Sequence, residues 1–190
     1  MKIVNQYKYL GVILHESLNY NITVNCLADA ASRAFGAIIN KLKYIKNCRY
    51  QTYTKLYESG IVPITDYNAG VWGFKSFDKI DVLHHKIIRY FLSVHHFAAN
   101  HAIEGDMGWV PPVVRRLVSM TRLWNRLIDM PQDRLTQKVF DWDYSLCRNN
   151  WSFEVKNIFE NCNLLHIYDD CSNCDTVTVK NILMDQYVEK

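Results

Sequence analysis

Apolar residues recur at spacings of three and four positions along several stretches of the chain, which is the pattern of amphipathic helices. The longest of these stretches opens after Asn21, and small residues such as Gly36 within it allow a neighbouring helix to pack closely. The pattern therefore predicts one long helix near the start of the chain. Its apolar positions are Ile22, Leu27, Ala30, Ala31, Ala34, Ile38, Leu42 and Ile45.

Further helical patterns follow towards the C-terminus. One covers residues 53–67, and another begins at Asp78, whose side chain is predicted to cap it, and continues to Leu92. A third starts with Trp109-Val110-Pro111-Pro112, where proline is tolerated in the first turn, and is ended by Pro131. Shorter helices are predicted over residues 133–141, 151–161 and 176–188.

The segment from Tyr7 to Leu14 has a different pattern. It is short, rich in aromatic and β-branched residues, and followed by the polar pair His15 and Glu16, so it predicts a β-strand. No second strand is recognisable nearby. Because a strand gains little stability unless it pairs, we expect the chain to begin in the middle of a larger fold.

These patterns together predict a mainly α-helical protein. The expected architecture is a helical bundle preceded by one short orphan β-strand and followed by a small irregular C-terminal appendage. The predicted boundaries are residues 1–17 for the strand, 18–144 for the bundle and 145–190 for the appendage. Three tryptophans are predicted to anchor the core rather than to stack on bases: Trp72, Trp109 and Trp124.

The composition is that of a folded globular protein. The chain has 190 residues, of which 49% are hydrophobic and 22% charged, which excludes wholesale disorder, collagen-like repeats and coiled-coil rods. No uncharged apolar stretch has the length of a bilayer span, so we expect neither secretion nor a membrane partner. Six cysteines without a signal peptide indicate reduced thiols, which predicts an intracellular protein of the cytoplasm or nucleus.

Charge is distributed unevenly along the chain. Residues 1–140 carry 18 Lys and Arg against 10 Asp and Glu, a net charge of +8. Residues 141–190 carry 4 against 9, a net charge of −5, and the two parts give the overall +3. A basic body with an acidic tail predicts a polyanionic partner for the body.

Two groups of basic residues are the candidate binding sites. The first lies at the end of the first long helix and in the turn after it, with Tyr44 and Tyr50 interleaved: Lys41, Lys43, Lys46 and Arg49. The second shares one helical face: Arg115, Arg122 and Arg126. Cations neutralise phosphates while aromatic rings contact sugars or bases. The alternatives are a solvated helix end, where cations oppose the helix dipole, and an ordinary solvent-exposed face.

The acidic tail contains a candidate metal site. Three cysteines and one histidine fall within thirteen residues, and a Cys-x2-Cys pair can hold one side of a tetrahedral Zn²⁺. The candidate zinc ligands are Cys162, His166, Cys171 and Cys174. Their order is nonstandard for such sites, so ordinary free cysteines without a cofactor are the alternative.

Several blocks of the chain occur in an order and spacing that resemble one family. They are Tyr7–Leu14 with Leu18-Asn19-Tyr20, Tyr57 with Val62-Pro63 and Tyr67–Gly73, His84–Leu92, Gly105–Pro111 and Arg122–Leu127. Over roughly residues 7 to 140, these blocks resemble the end of the palm and the thumb of LINE-type (non-LTR retrotransposon) reverse transcriptases.

The resemblance implies a function without catalysis. Such enzymes copy RNA into DNA with two metal ions held by palm aspartates, and those aspartates lie upstream of the matched segment. The chain is then a thumb-like fragment with no catalytic residues, not an enzyme on its own, that retains sequence-independent binding of an RNA or RNA–DNA duplex. The alternative is an inactive relic or a protein-interaction module that uses the surface left by the missing palm domain, with self-association as a consequence.

Overall fold

The computed structural model describes residues 4–17, 19–45 and 48–189. Two short strands come first, β1 (Gln6–Tyr9) and β2 (Val12–His15). The helices of the described ranges are α1 (Asn21–Leu42), α2 (Tyr50–Gly60), α3 (Val62–Thr65), α4 (Ala69–Trp72), α5 (Asp78–Leu92), α6 (Asn100–Met107), α7 (Pro112–Ile128), α8 (Leu135–Leu146), α9 (Trp151–Asn161), α10 (Leu165–Asp169) and α11 (Thr176–Val188). The predicted mainly α-helical class is confirmed.

The chain divides into two compact units. Unit 1 combines Met1–Asn68 with Ser76–Pro112, and unit 2 combines Ala69–Lys75 with Val113–Lys190. This division follows other boundaries than the predicted ones, because residues 69–75 join the later helices while residues 76–112 join the earlier ones. Each unit is described by itself.

The predicted orphan strand is instead a hairpin. β1 and β2 pair in antiparallel register, with Tyr9 opposite Val12, and the turn between them is Leu10-Gly11. Both turn residues have positive φ, 45° and 89°, as a tight two-residue hairpin requires. The range predicted as one strand therefore contains two short strands and their turn. Leucine is an unusual residue at such a φ, so the turn has no recognisable sequence signal.

Unit 1 is built around α1 and an aromatic stack. α1 buries a stripe that includes Ala31 and Phe35. The ring of Trp109 stacks on that of Tyr57, with centroids 4.0 Å apart, and its Nε1 donates to Thr54 Oγ1. The hydroxyl of Tyr53 donates to the carbonyl of Ile87 at 2.8 Å. These bonds satisfy the polar atoms of aromatic residues that are otherwise buried for their apolar area.

The helix α5 begins differently from the prediction. Asp78 is its first helical residue rather than its cap, and the capping position is Phe77, which is extended and makes no side-chain capping bond. The carboxylates of Asp78 and Asp81 then lie in the first turn, where they complement the helix dipole.

Unit 2 is centred on Trp124, which is fully buried in α7. Its ring contacts those of Phe140, Phe159 and Tyr168, with centroids 5.2 to 5.6 Å apart, and its Nε1 donates to the carbonyl of Ser172. The three tryptophans predicted to anchor the core are at most 7% exposed, which confirms that prediction: Trp72, Trp109 and Trp124.

The C-terminal segment contains the two helices predicted over residues 151–161 and 176–188, which are α9 and α11. The side chain of Asn150 caps α9 by accepting from the amide of Phe153, and that of Asp175 caps α11 by accepting from the amide of Val177. Asn and Asp satisfy free amides at helix starts, so these two residues set where each helix begins. The predicted appendage is therefore an ordered part of unit 2.

The helix α1 has the length and hydropathy of a membrane span. Among the described residues it alone meets both criteria, with a mean hydropathy of 1.2. Its Ala31 and Phe35 are buried in unit 1, and a core helix meets the same criteria. The absence of a membrane partner stays a prediction.

Candidate nucleic-acid interface

The end of α1 presents two lysines to solvent. Leu42 is buried and holds the last turn of the helix against the core of unit 1. Lys41 and Lys43 precede and follow it, and both are exposed. The Nζ of Lys43 donates to Oδ1 of Asn40 at 3.3 Å. An amide oxygen leaves the positive charge of the lysine unneutralised, so both ammonium groups contribute to the surface potential.

The residues after α1 add an aromatic ring and a third cation. The amide of Tyr44 donates to the carbonyl of Lys41, which continues the turn, and the side chain of Tyr44 is 88% exposed. Arg49 is exposed and extended, immediately before α2. Lys46, the fourth predicted cation, lies outside the described residues. We call Lys41, Lys43, Tyr44 and Arg49 the basic cluster.

Tyr50 has a structural role that the sequence did not indicate. Its hydroxyl donates to the carbonyl of Met107 at 2.7 Å, and its ring contacts that of Phe91. The ring is therefore held by the fold of unit 1. Tyr44 is the tyrosine of this segment whose face is open for stacking.

Among the described residues, no Asp or Glu lies within ion-pair distance of the basic cluster. No ion pair of the described residues includes Lys41, Lys43 or Arg49. The sequence agrees with this arrangement, because residues 30–57 contain no Asp or Glu. Cations without local carboxylates keep their full attraction for phosphate.

The hairpin of unit 1 is a further exposed aromatic and basic segment, which sequence reasoning missed. All four residues of β1 are exposed, and Tyr7 and Tyr9 lie on one face with Lys8 on the other. The hydroxyl of Tyr67 donates to the carbonyl of Leu10 and holds the turn. The alternation of tyrosine with lysine was the available signal, but it was interpreted only as strand propensity.

The predicted arginine face on α7 is only partly exposed. Arg122 and Arg126 are exposed one turn apart, whereas Arg115 is half-buried. Arg116, which the helical spacing places on another face, is fully buried, and its Nη2 contacts the carbonyl of Lys75 at 3.4 Å. The second basic group is therefore reduced to a pair of exposed arginines in unit 2.

Hydrogen bonds to the segment before α11 hold α7 in place. The side chain of Asn125 accepts from the amide of Cys174 at 2.9 Å and donates to the carbonyl of the same residue at 2.8 Å. Together with the hydrogen bond of the Trp124 indole, these two hydrogen bonds fix the rotation of the helix about its axis. Arg122 and Arg126 are held facing solvent as a consequence.

The predicted zinc ligands do not converge. Cys162 and Cys174 are buried, whereas His166 and Cys171 are exposed. Within the described ranges, no three His, Cys, Asp or Glu side chains form a group that could hold a metal ion. Burial also raises the pKa of the Cys162 thiol from 9.0 to about 11, and a metal binds the thiolate rather than the thiol. In the chain, the helix α10 (Leu165–Asp169) lies between Cys162 and Cys171 and contains His166.

Unit 2 contains a cavity of about 550 Å³ between α7, α9 and α11. Glu154 and Glu189 supply its charged side chains, beside amides and a few apolar residues. Carboxylates repel phosphate groups, so this cavity does not belong to a nucleic-acid interface.

Comparison with known proteins adds no further information, since no family model, curated protein or solved structure matches this chain.

Proposed function

We propose that the chain is a non-catalytic fragment related to LINE-type reverse transcriptases and that it binds RNA or RNA–DNA duplexes without sequence preference. The ordered sequence blocks support the relationship. The basic cluster is the observation that carries the binding, because three exposed cations and an open tyrosine ring lie within nine residues with no acidic neighbour.

Such a cluster suits a nucleic-acid backbone. Each lysine or arginine that contacts a phosphate releases condensed counterions, and this release favours binding whatever the base sequence. Contacts from lysine and arginine to phosphates position a protein on a duplex without reading its sequence. The ring of Tyr44 adds stacking on a sugar or a terminal base.

The absence of catalysis belongs to the same proposal. The palm aspartates of the family lie upstream of the segment that this chain resembles. We therefore expect a primer-extension reaction with the chain alone to give no product.

Neutralising the basic cluster is expected to weaken duplex binding. In low salt, the triple variant Lys41→Ala, Lys43→Ala, Arg49→Ala should bind a labelled RNA–DNA hybrid of about 20 base pairs at least tenfold more weakly than the unaltered chain, because three phosphate contacts are lost. Fluorescence anisotropy measures both affinities. All three positions are exposed, so the variant should retain the helical content of the unaltered chain.

The matched control removes three exposed cations elsewhere, at Arg134, Lys138 and Arg148. Both triple variants lower the net charge by three, so any general electrostatic attraction to the duplex weakens equally in both. Because the control loses no phosphate contact of the proposed site, it should bind within about threefold of the unaltered chain. Equal weakening of the two variants would show attraction by net charge alone and would contradict a localised site.

The alternative function is a protein-interaction module. It is favoured by the hairpin, in which β1 is exposed along its whole length and Leu10, in the turn, is 70% exposed. An exposed strand edge is a surface on which another strand can pair. If the chain does not bind the hybrid in low salt, duplex binding is excluded and the protein-interaction module is the function that remains.

A further inference from the structure

The helix α8 has apolar side chains on two opposite faces. One face is buried in unit 2 and includes Phe140, which is 4% exposed. The other faces solvent, and its side chains are 53 to 76% exposed. We call this exposed row the α8 stripe; it consists of Leu135, Val139, Trp142 and Leu146.

The buried face prevents the α8 stripe from turning inward. The ring of Phe140 packs edge-on against Trp124 and against Trp151. The hydroxyl of Tyr144 donates to the carbonyl of Tyr168 at 2.9 Å. Since these contacts fix the rotation of α8, the stripe remains in solvent. Isolated apolar residues are normal on a surface, but four in a continuous row mark an interaction site.

The spacing of the α8 stripe is that of a helix-pairing seam. Its residues are separated by four, three and four positions, which is the alternation of the a and d positions in a heptad repeat. A helix with the same repeat fits this row by inserting its side chains between those of α8. A second copy of this chain supplies such a helix.

The charged residues beside the stripe favour a second copy of the chain as the partner, with its α8 helix in parallel orientation. In heptad terms, Lys138 occupies a g position and Asp143 an e position, on opposite sides of the seam and five residues apart. A parallel pair brings each g position next to the e position five residues later in the other helix. Lys138 of each copy then faces Asp143 of the other, which gives two ion pairs related by the twofold axis.

The carboxylate of Asp143 is fixed by hydrogen bonds within unit 2. Its Oδ2 accepts from the amide of Ser152 at 2.9 Å and from the hydroxyl of the same residue at 2.6 Å. The carboxylate therefore loses little conformational freedom when a lysine approaches it. In an antiparallel pair, g positions would lie next to g positions and e positions next to e positions of the other helix. Lys138 would then not meet Asp143.

From these observations we infer that the α8 stripe is a self-association surface, on which two copies of the chain pair through parallel α8 helices. The contact is small, with four apolar side chains per copy where a standard interface uses about 20 to 30 residues a side. A weak dimer is expected as a result, with a dissociation constant on the order of 0.1 mM. This inference is independent of duplex binding.

Sedimentation equilibrium of the full chain from about 1 µM to 1 mM tests the inference. The average mass should rise from monomer towards dimer across this range. Val139→Glu should weaken the dimer at least tenfold, since it places two carboxylates in the seam. Val82→Glu is the matched control, because Val82 is also exposed on a helix, at 65% against 55% for Val139, and should leave the dimer unchanged.

Orientation and location are tested by two further readouts. Lys138→Glu should weaken a parallel dimer about threefold or more, because it brings a carboxylate next to Asp143. The tryptophan emission of the chain should shift to the blue on association, because Trp142 is 64% exposed. The other four tryptophans are already buried or half-buried. Circular dichroism of each variant confirms that its helices are intact.

Three results would overturn the inference. A chain that stays monomeric at 1 mM has no such surface. A dimer that withstands Val139→Glu, or that Val82→Glu weakens equally, pairs through another face. A dimer unaffected by Lys138→Glu is not parallel.

Discussion

Trp124→Ala is expected to lower the free energy of unfolding of unit 2 by about 4 kcal/mol. The indole is fully buried and contacts the rings of Phe140, Phe159 and Tyr168. Its removal leaves a cavity that these rigid neighbours cannot fill, and the carbonyl of Ser172 loses its donor. An effect of this size is comparable with the whole stability of many domains.

Urea denaturation and hydrogen exchange of the amides of α7 and α9 measure this loss. The control is Trp142→Ala, which makes the same change at a tryptophan that is 64% exposed. We expect it to change the free energy of unfolding by less than about 0.5 kcal/mol. Similar destabilisation by both substitutions would contradict the central position of Trp124 in unit 2.

Gly73→Ala is expected to destabilise unit 2 by about 3 kcal/mol. A Cβ at this position would lie 2.5 Å from the carbonyl oxygen of Ala69 and 2.8 Å from Cβ of Arg116. Neither atom can move freely, because one belongs to the backbone and the other is next to the backbone of a packed helix. The glycine that follows Trp72 is thus required for steric reasons.

The matched control for Gly73→Ala is Gly36→Ala. A Cβ at Gly36, within α1, meets no atom within 4 Å. Alanine favours the helix over glycine, so this variant should be more stable by about 0.5 to 1 kcal/mol. Thermal unfolding monitored by circular dichroism distinguishes the two opposite signs, and a tolerated Gly73→Ala would contradict the close approach of Arg116.

The helices could be predicted from sequence because their signals are local. Helix α7 begins at Pro112 and ends at Ile128, between the two prolines that indicated its limits. Periodicity also placed α9 and α11 to within a residue or two. The pattern of a helix repeats over many residues, so one irregular position does not hide it.

Features that depend on distant contacts could not be predicted. The turn at Leu10 is supported by the hydroxyl of Tyr67, which follows 57 residues later. The half-burial of Arg115 depends on which face of α7 packs inward in unit 2, and its spacing from Arg122 carries no such information. The hydrogen bonds that join Asn125 to Cys174 span 49 residues, so the sequence does not show that the C-terminal segment packs against α7.

The candidate site was predicted in part. The charges of Lys41, Lys43 and Arg49 and their lack of acidic neighbours are visible in the sequence. The different roles of the two tyrosines are not, because the hydroxyl bond of Tyr50 to Met107 joins residues 57 positions apart. The α8 stripe escaped notice because the apolar residues of a helix are usually assigned to its buried face.

The salt dependence of duplex binding by the full chain tests the central claim most directly. A labelled RNA–DNA hybrid and a second hybrid of scrambled sequence are titrated at several salt concentrations between about 50 and 200 mM. We expect equal affinities for both, with the logarithm of the binding constant falling against the logarithm of salt with a slope of about −3, as three phosphate contacts require. No binding at the lowest salt, or binding that ignores salt, would contradict the account.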